Sequence, residues 1–166
     1  MRNIAIVASI LLALLASCAG GEAYYNISGA GVESGDTLYL YGLDRRYEYM
    51  DTILADEEGA FDYDVYADTV FPLSLLMPSG KAIVLFAEPA TAATVVPDSM
   101  LQGKWMVKGG RLQHLYDSMA ARIESLPIAK RFEEIDSFVR RDPMNEVNIM
   151  LWRRYLVESP KPEIRN

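Results

Sequence analysis

The chain of 166 residues contains one cysteine, Cys18, and one histidine, His114, and this scarcity excludes several kinds of site. A single thiol forms neither an intramolecular disulfide nor a Cys-x-x-Cys pair, and no second histidine is present to complete a zinc site. The sequence also lacks the Gly-x-Ser-x-Gly elbow of many serine hydrolases. We therefore expect no catalytic residues, no metal and no cofactor, and we interpret His114 as a structural or surface residue.

The N-terminal apolar run from Ile4 to Leu15 is too short to cross a membrane, because a spanning helix needs about 20 apolar residues. Arg2 precedes the run and small residues follow it, which is typical of a secretory signal peptide. The segment Leu15-Ala16-Ser17-Cys18 resembles the lipobox of bacterial lipoprotein signals. This resemblance implies that residues 1–17 are removed and that Cys18 becomes a lipidated N-terminus. An ordinary cleaved signal peptide is the alternative.

We interpret residues 18–23 as a tether between a lipid anchor and the folded part of the chain. Two or more acyl chains hold a protein stably on a membrane, and the lipoprotein cysteine resembles that case. The segment from Ala19 to Ala23 reaches about 17 Å when fully extended, so the folded part would lie close to the headgroups. We expect the protein in the cell envelope, anchored to the periplasmic face of the outer membrane.

The net charge of −7 makes nucleic acid and anionic membrane surfaces poor partners. The charge is also unevenly distributed, with 14 acidic and 5 basic residues over residues 18–108 and 9 acidic and 10 basic residues over residues 109–166. A solvated acidic face is the simplest explanation. The alternatives are a basic partner, or packing of the arginine-rich C-terminal part against the acidic part.

Residues 24–108 form short runs of aromatic and β-branched residues separated by Gly, Pro, Asp and Ser. Apolar and polar residues alternate in several runs, which buries one face of a strand and leaves the other in water. We predict a β-domain, an antiparallel sandwich or open barrel of about seven to eight strands. The predicted strands are Tyr24–Ser28, Thr37–Gly42, Tyr47–Ala55, Ala60–Tyr66, Val70–Met77, Lys81–Phe86, Ala93–Val96 and Lys104–Lys108.

The hydrophobic period changes after Gly109-Gly110, which we interpret as a plain break between strand and helix. Pro127 and the Asp142-Pro143 pair divide the following segment. The sequence therefore predicts a helical extension of two to three helices over residues 109–158, followed by a tail over residues 159–166. The apolar stripes that predict the helices are Leu112, Leu115, Tyr116, Met119, Ile123 and Leu126, then Phe132, Ile135, Phe138 and Val139, then Val147, Met150, Leu151, Tyr155 and Leu156.

A series of short motifs extends over roughly residues 24–110. The motifs are Tyr25-Asn26-Ile27-Ser28-Gly29, Gly35-Asp36-Thr37-Leu38-Tyr39-Leu40, Asp51-Thr52-Ile53, and Asp56-Glu57-Glu58-Gly59-Ala60-Phe61. In this order and spacing, the series resembles the domain of unknown function 4369. The segment that ends in Met106-Val107-Lys108-Gly109-Gly110 resembles the last strand of that family, which leads into helices.

The resemblance implies an N-terminal domain of envelope lipoproteins that continue, through helices, into a thioredoxin-like domain. Residues 132–157 resemble that helical connector. The chain departs from the family pattern because it has no Cys-x-x-Cys, and thiol–disulfide exchange requires two sulfurs. The resemblance therefore implies a fold and a location, and it implies no reaction.

Three functions remain open at this point. The first is a non-catalytic membrane-anchored lipoprotein whose β-domain acts as a binding or scaffolding module. The second is an accessory or truncated counterpart of a thiol-disulfide oxidoreductase, which would position a separate thioredoxin-like partner. The third is a carbohydrate-binding module, because tyrosines on a sheet can stack on sugar rings. The relevant tyrosines are Tyr24, Tyr25, Tyr39, Tyr41, Tyr47, Tyr49, Tyr63 and Tyr66.

A cluster of carboxylates offers one further candidate site. Calcium binds carboxylate oxygens, but the cluster lacks the spacing of an EF-hand. We favour a solvated hairpin, in which Gly59 takes the positive φ that a tight turn requires. The cluster consists of Asp56, Glu57, Glu58, Asp62 and Asp64.

Overall fold

The computed structural model describes residues 23–43 and 50–157. The predictions for the signal peptide (1–17), Cys18, the tether, Tyr47, Tyr49 and the tail (159–166) lie outside these residues. No helix within the described ranges is both long and apolar enough to span a membrane.

The predicted fold class is confirmed, with eight strands in two sheets and three C-terminal helices. Sheet 1 has the order β4-β1-β7-β8 and sheet 2 has the order β3-β2-β5-β6. The sheets do not close into a barrel, so the architecture is sandwich-like. The strands are β1 (Tyr24–Ala30), β2 (Thr37–Gly42), β3 (Met50–Leu54), β4 (Ala60–Tyr66), β5 (Phe71–Leu76), β6 (Ala82–Ala87), β7 (Thr91–Pro97) and β8 (Trp105–Lys108).

Most neighbouring strands are antiparallel, as predicted, but β1 and β7 run parallel in the middle of sheet 1. Tyr25 of β1 lies opposite Thr91 of β7, and the same strand pairs antiparallel with β4 on its other side. A tight turn joins antiparallel strands only, whereas a parallel pair needs a long crossover. Here the crossover contains all of sheet 2.

The main core lies between the two sheets and follows the period of two that the sequence shows. Ile27 of β1 and Leu40 of β2 are completely buried, and their neighbours along each strand are more exposed. Glu57 and Glu58 lie in the turn between β3 and β4, where Gly59 has a φ of 73°. The buried residues of this core are Tyr25, Ile27, Leu38, Leu40, Ile53, Phe61, Val65, Ala67, Phe71, Leu73, Leu75, Met77, Leu85, Ala87, Ala93 and Val95.

A second core covers the outer face of sheet 2 with the helices α1 (Arg111–Ser125), α2 (Ile128–Arg141) and α3 (Val147–Trp152) and a π-helical turn (Arg153–Val157). Phe86 of β6 is fully buried in this core, and its ring centroid lies 5.5 Å from that of Tyr116 on α1. Strand β5 is therefore covered on both faces, and Phe71 to Leu75 are all buried. The predicted stripes thus pack on one another and on the β-sandwich. The division into separate domains stays a prediction.

The break at Gly109-Gly110 fixes the direction in which α1 leaves the sheets. Gly109 and Gly110 both have positive φ, at 112° and 77°. A Cβ on Gly110 would lie 2.8 Å from Oε1 of Glu88, and that oxygen accepts a hydrogen bond of 2.8 Å from the N–H of Leu112. A buried carboxylate from the β6–β7 connection thus satisfies a free N–H in the first turn of α1 and opposes the positive end of the helix dipole.

We predict that Phe86→Ala lowers the free energy of unfolding by about 3–5 kcal/mol, because it removes the ring that joins α1 to sheet 2. Urea denaturation followed by circular dichroism measures the change. The control is Phe132→Ala on α2, where the side chain is 46% exposed and the expected loss is about 1 kcal/mol or less. Equal losses in the two variants would contradict the packing described here.

Candidate ligand-binding cleft

A cleft of about 910 Å³ lies where the helices stop covering the outer face of sheet 2. Its floor is one row of the sheet, in which Tyr41 of β2 lies opposite Ser74 of β5, and Ser74 lies opposite Val84 of β6. Since these three residues lie side by side on neighbouring strands, their side chains share the outer face of the sheet. The floor is largely apolar. The volume of the cleft is in the range of small-molecule and peptide sites.

One wall of the cleft is a single face of α1. Gln113, Asp117, Ala121 and Glu124 line it at intervals of four, four and three residues, which is the spacing of a helical stripe. The π-helical turn contributes Arg154 behind this wall. The opposite wall consists of β8 and the loop that precedes it, over residues 98–108.

Arg154 is the centre of a fixed polar cluster at one end of the cleft. Its Nη1 donates to the Tyr116 hydroxyl at 3.1 Å, and its Nη2 lies 2.6 Å from Oε1 of Glu124. The guanidinium carbon lies 5.8 Å and 5.3 Å from the ring centroids of Tyr116 and Tyr155. Arg154 thus makes one ion pair with a carboxylate and two cation–π contacts, so it is already engaged within the protein.

Burial sets the proton affinities of this cluster. It raises the pKa of Tyr116 and of Tyr155 above the usual value of a phenol, so both hydroxyls stay protonated. Burial on its own lowers the pKa of Arg154, but the hydrogen bond with Tyr116 and the nearby Glu124 outweigh it and raise the pKa. Arg154 is therefore a permanent cation, held between the Glu124 carboxylate and the two neutral rings of Tyr116 and Tyr155.

Gln113 has a buried acceptor that no described residue satisfies. The side chain is 2% exposed, and its Oε1 has no hydrogen-bond partner within the described residues. Its Nε2 lies 3.3 Å from each carboxylate oxygen of Asp117, a long contact. Desolvation raises the pKa of Asp117, and the amide of Gln113 partly opposes this shift. An unsatisfied buried acceptor costs about 1–3 kcal/mol.

Lysines mark the rim on the side of the sheets. Lys81, Lys104 and Lys108 are the basic residues of ranges 23–43 and 50–108, and all three line the cleft. Lys81 donates from Nζ to the carbonyl of Gly103, which joins the start of β6 to the loop before β8. The cationic side chains of the described part of the sandwich are thus concentrated at one place in an acidic protein.

His114 and the described carboxylates of the hairpin cluster do not line the cleft. His114 is exposed on α1. The Asp56 carboxylate accepts from the backbone N–H groups of Glu58 and Ala60 at 3.0 and 2.8 Å, so it stabilises the hairpin turn. Asp62 and Asp64 both accept from Nδ2 of Asn26 across the β1–β4 pair. Within the described ranges, no group of three or more His, Asp or Glu side chains could hold a metal ion.

The candidate tyrosines within the described residues are distributed over several environments and form no single platform. Tyr24 and Tyr66 are exposed on sheet 1, with ring centroids 5.9 Å apart and planes at 81°. Tyr25 is fully buried, whereas Tyr39 is exposed on sheet 2 beside the cleft residue Tyr41. The remaining described strand tyrosine, Tyr63, is half-buried and donates to Asp51.

Comparisons with known proteins add nothing to this geometry, since no family model, no curated protein and no solved structure matches the chain. The resemblance to the domain of unknown function 4369 stays a prediction. Sequence reasoning did not identify Gln113 or the lysine rim. The two lysines at the ends of the predicted strand Lys104–Lys108 were a visible signal, but their convergence with Lys81 depends on the fold.

We predict that Gln113→Leu leaves the free energy of unfolding unchanged or raises it by up to about 2 kcal/mol, because it removes an unpaired buried acceptor. Urea denaturation gives the midpoint and the slope of the unfolding transition, from which the free energy of unfolding is obtained. The control is Gln102→Leu, at an exposed loop position, where the expected change is within about 0.5 kcal/mol. A loss above about 1 kcal/mol for Gln113→Leu alone would mean that its amide already stabilises the free protein.

Proposed function

We propose that this protein is a non-catalytic binding module of the cell envelope, anchored by a lipid on Cys18, with the cleft as its binding site. The observation that carries the proposal is the cleft itself, with an apolar floor and charged side chains around it. Pockets that bind ligands typically combine an apolar lining with a few polar groups that orient the ligand. Here the floor supplies the apolar surface, and Asp117 and the lysine rim supply the polar groups.

The polar groups of the cleft support binding better than chemistry. Glu124 pairs with Arg154 and also accepts from the Tyr155 hydroxyl at 3.0 Å. Asp98 accepts from the backbone N–H groups of Met100 and Leu101, so its carboxylate shapes the loop before β8. Acid–base catalysis needs a group that is free to exchange a proton with a substrate. Two of the three cleft carboxylates are engaged in the protein itself, and the third, Asp117, contacts the amide of Gln113 at 3.3 Å.

The anchor rests on the sequence pattern around Cys18, and the position of β1 is compatible with it. The first described strand begins at Tyr24, only a few residues after the proposed lipidated cysteine. A tether with a reach of about 17 Å would hold sheet 1 near the headgroups. The cleft lies on the outer face of the other sheet, which such a tether would not cover.

A second candidate function is the accessory role beside a thioredoxin-like protein. The helices carry an exposed apolar patch, which indicates a surface for binding another protein. Phe132 of α2 and Trp152 of α3 make an edge-to-face contact with centroids 6.0 Å apart, and Ile149, one turn before Trp152, is 55% exposed. Exposed apolar patches often mark interaction sites. A thioredoxin-like partner for this patch comes from the family resemblance alone.

The carbohydrate-binding role receives little support from the tyrosines. A flat sugar ring stacks best on an open aromatic face, whereas Tyr24 and Tyr66 pack edge to face. We therefore rank this function third.

We predict that the full chain enters the detergent phase in a Triton X-114 partition and that Cys18→Ser moves it to the aqueous phase, since the thiol is the proposed site of acylation. Mass spectrometry of the N-terminal peptide should show the added acyl groups. The control is Ser17→Ala, which keeps a small residue before the cysteine and should stay in the detergent phase. An unmodified N-terminal peptide from the wild-type chain would contradict the proposed lipid anchor on Cys18.

We predict that Ala121→Trp abolishes ligand binding, because its side chain lines the cleft and an indole there would fill it. Thermal shift against short peptides, oligosaccharides and phospholipid micelles provides the measurement. A ligand at about 100 times its Kd adds about 2.7 kcal/mol to the free energy of unfolding, which is a shift of several degrees.

The matched control is Ala129→Trp, at an exposed position of α2 outside the cleft, which should keep the shift. A ligand that stabilises both tryptophan variants equally would show that the cleft is not the binding site.

A further inference from the structure

The cleft is bordered by the free edges of both sheets. Strand β6 is the last strand of sheet 2, and β8 is the last strand of sheet 1. Residues 81–84 and residues 104–108 all line the cleft without a gap. A strand that contributes only one face would contribute every second residue, because side chains alternate. The unbroken runs therefore mean that the backbone edges of β6 and β8 face the cleft.

These edges carry backbone groups that no described residue pairs. Strand β6 pairs with β5 on one side only, and β8 pairs with β7 on one side only. Apart from these ladders, the described chain makes no backbone hydrogen bond to residues 82–87 or 105–108. Alternate N–H and C=O groups of an edge strand point outward, and such an edge is a template for another strand.

The side chains around the edges fit an extended peptide. On one side of a strand added to β8, alternate side chains would lie beside Trp105 and Val107, the half-buried residues of β8 that line the cleft. The others would lie on the side of Lys104 and Lys108. Recognition of this kind takes affinity from main-chain hydrogen bonds and specificity from alternate side chains.

Charge selects among peptides. Lys104 and Lys108 are exposed on or next to β8, and Lys81 lies next to β6. Lysines at a sheet edge discourage pairing with neutral or basic strands, so an acidic segment is the one that these charges favour. None of the three carboxylates that line the cleft lies on β8: Asp98 binds backbone N–H groups in the loop before it, and Asp117 and Glu124 lie on α1, where Glu124 binds Arg154.

We propose that the cleft binds an extended acidic segment of a partner protein, which adds as a strand along the free edge of β8. A segment of about five residues spans about 17 Å as a strand. This inference rests on the proposed function in using the same cleft, and it adds the class of ligand.

The experiment selects binders from a displayed library of random hexapeptides with the full chain purified in detergent. We expect enrichment of Asp and Glu alternating with β-branched or aromatic residues. For a selected peptide, the double variant Lys104→Glu/Lys108→Glu should raise the Kd at least tenfold, and added salt should weaken binding to the wild-type chain. The control is Lys130→Glu on α2, an exposed lysine outside the cleft, which should leave the Kd within twofold.

The added strand has a second signature. Methylation of alternate backbone nitrogens of the peptide should raise the Kd at least tenfold in one register and little in the other, because only one set of N–H groups faces a given edge. Equal effects in the two registers, selection of basic peptides, or selection of none would overturn the inference.

The outcomes separate this inference from the proposed function. If Ala121→Trp abolishes binding of another ligand class while no acidic peptide is selected, the cleft remains the binding site and only the peptide inference fails. If acidic peptides bind the wild-type chain and Ala121→Trp equally well, the cleft is not the site and both fail.

Discussion

Burial of sheet 2 on both faces is the constraint on which the rest of the structure depends. Its inner face packs on sheet 1, and one end of its outer face packs on the helices through Phe86. The Glu88 carboxylate fixes the start of α1 at the same place. Because the helices leave part of this face open, Tyr41 and the half-buried Val84 line the cleft. The cleft is therefore a direct result of incomplete cover, with a floor that the fold would otherwise bury.

The local elements were predictable because they depend on neighbours in sequence. A period of two marked the strands, and stripes at three- and four-residue intervals marked the helices, so each predicted strand has a counterpart within a few residues. Strand β5 shows why burial on both faces hides this signal, since Phe71 to Leu75 are all buried and carry no alternation. The parallel pairing of β1 with β7 was not predictable, because no local pattern records which distant strand lies alongside.

The candidate site divides in the same way. Cys18 lies in a contiguous motif, so the sequence alone supports a hypothesis about it. The cleft draws Tyr41, Val84, Lys108 and Gln113 from separate elements, and nothing in their local sequence relates them. Whether a glutamine has a partner, or whether a strand lies at an edge, is decided only when the chain has folded. The lysine rim shows the same limit, since its charges are visible in the sequence and their convergence is not.

The parallel β1–β7 pair also determines the order of assembly. The strands of sheet 2 are near neighbours in sequence, so they can associate after closing small loops, whereas the contact between Tyr25 and Thr91 must enclose that whole sheet. Loop-closure entropy disfavours such distant contacts early, and high contact order slows folding. We expect sheet 2 to form first. Strand β1 then stays unpaired on one side until β7 pairs with it.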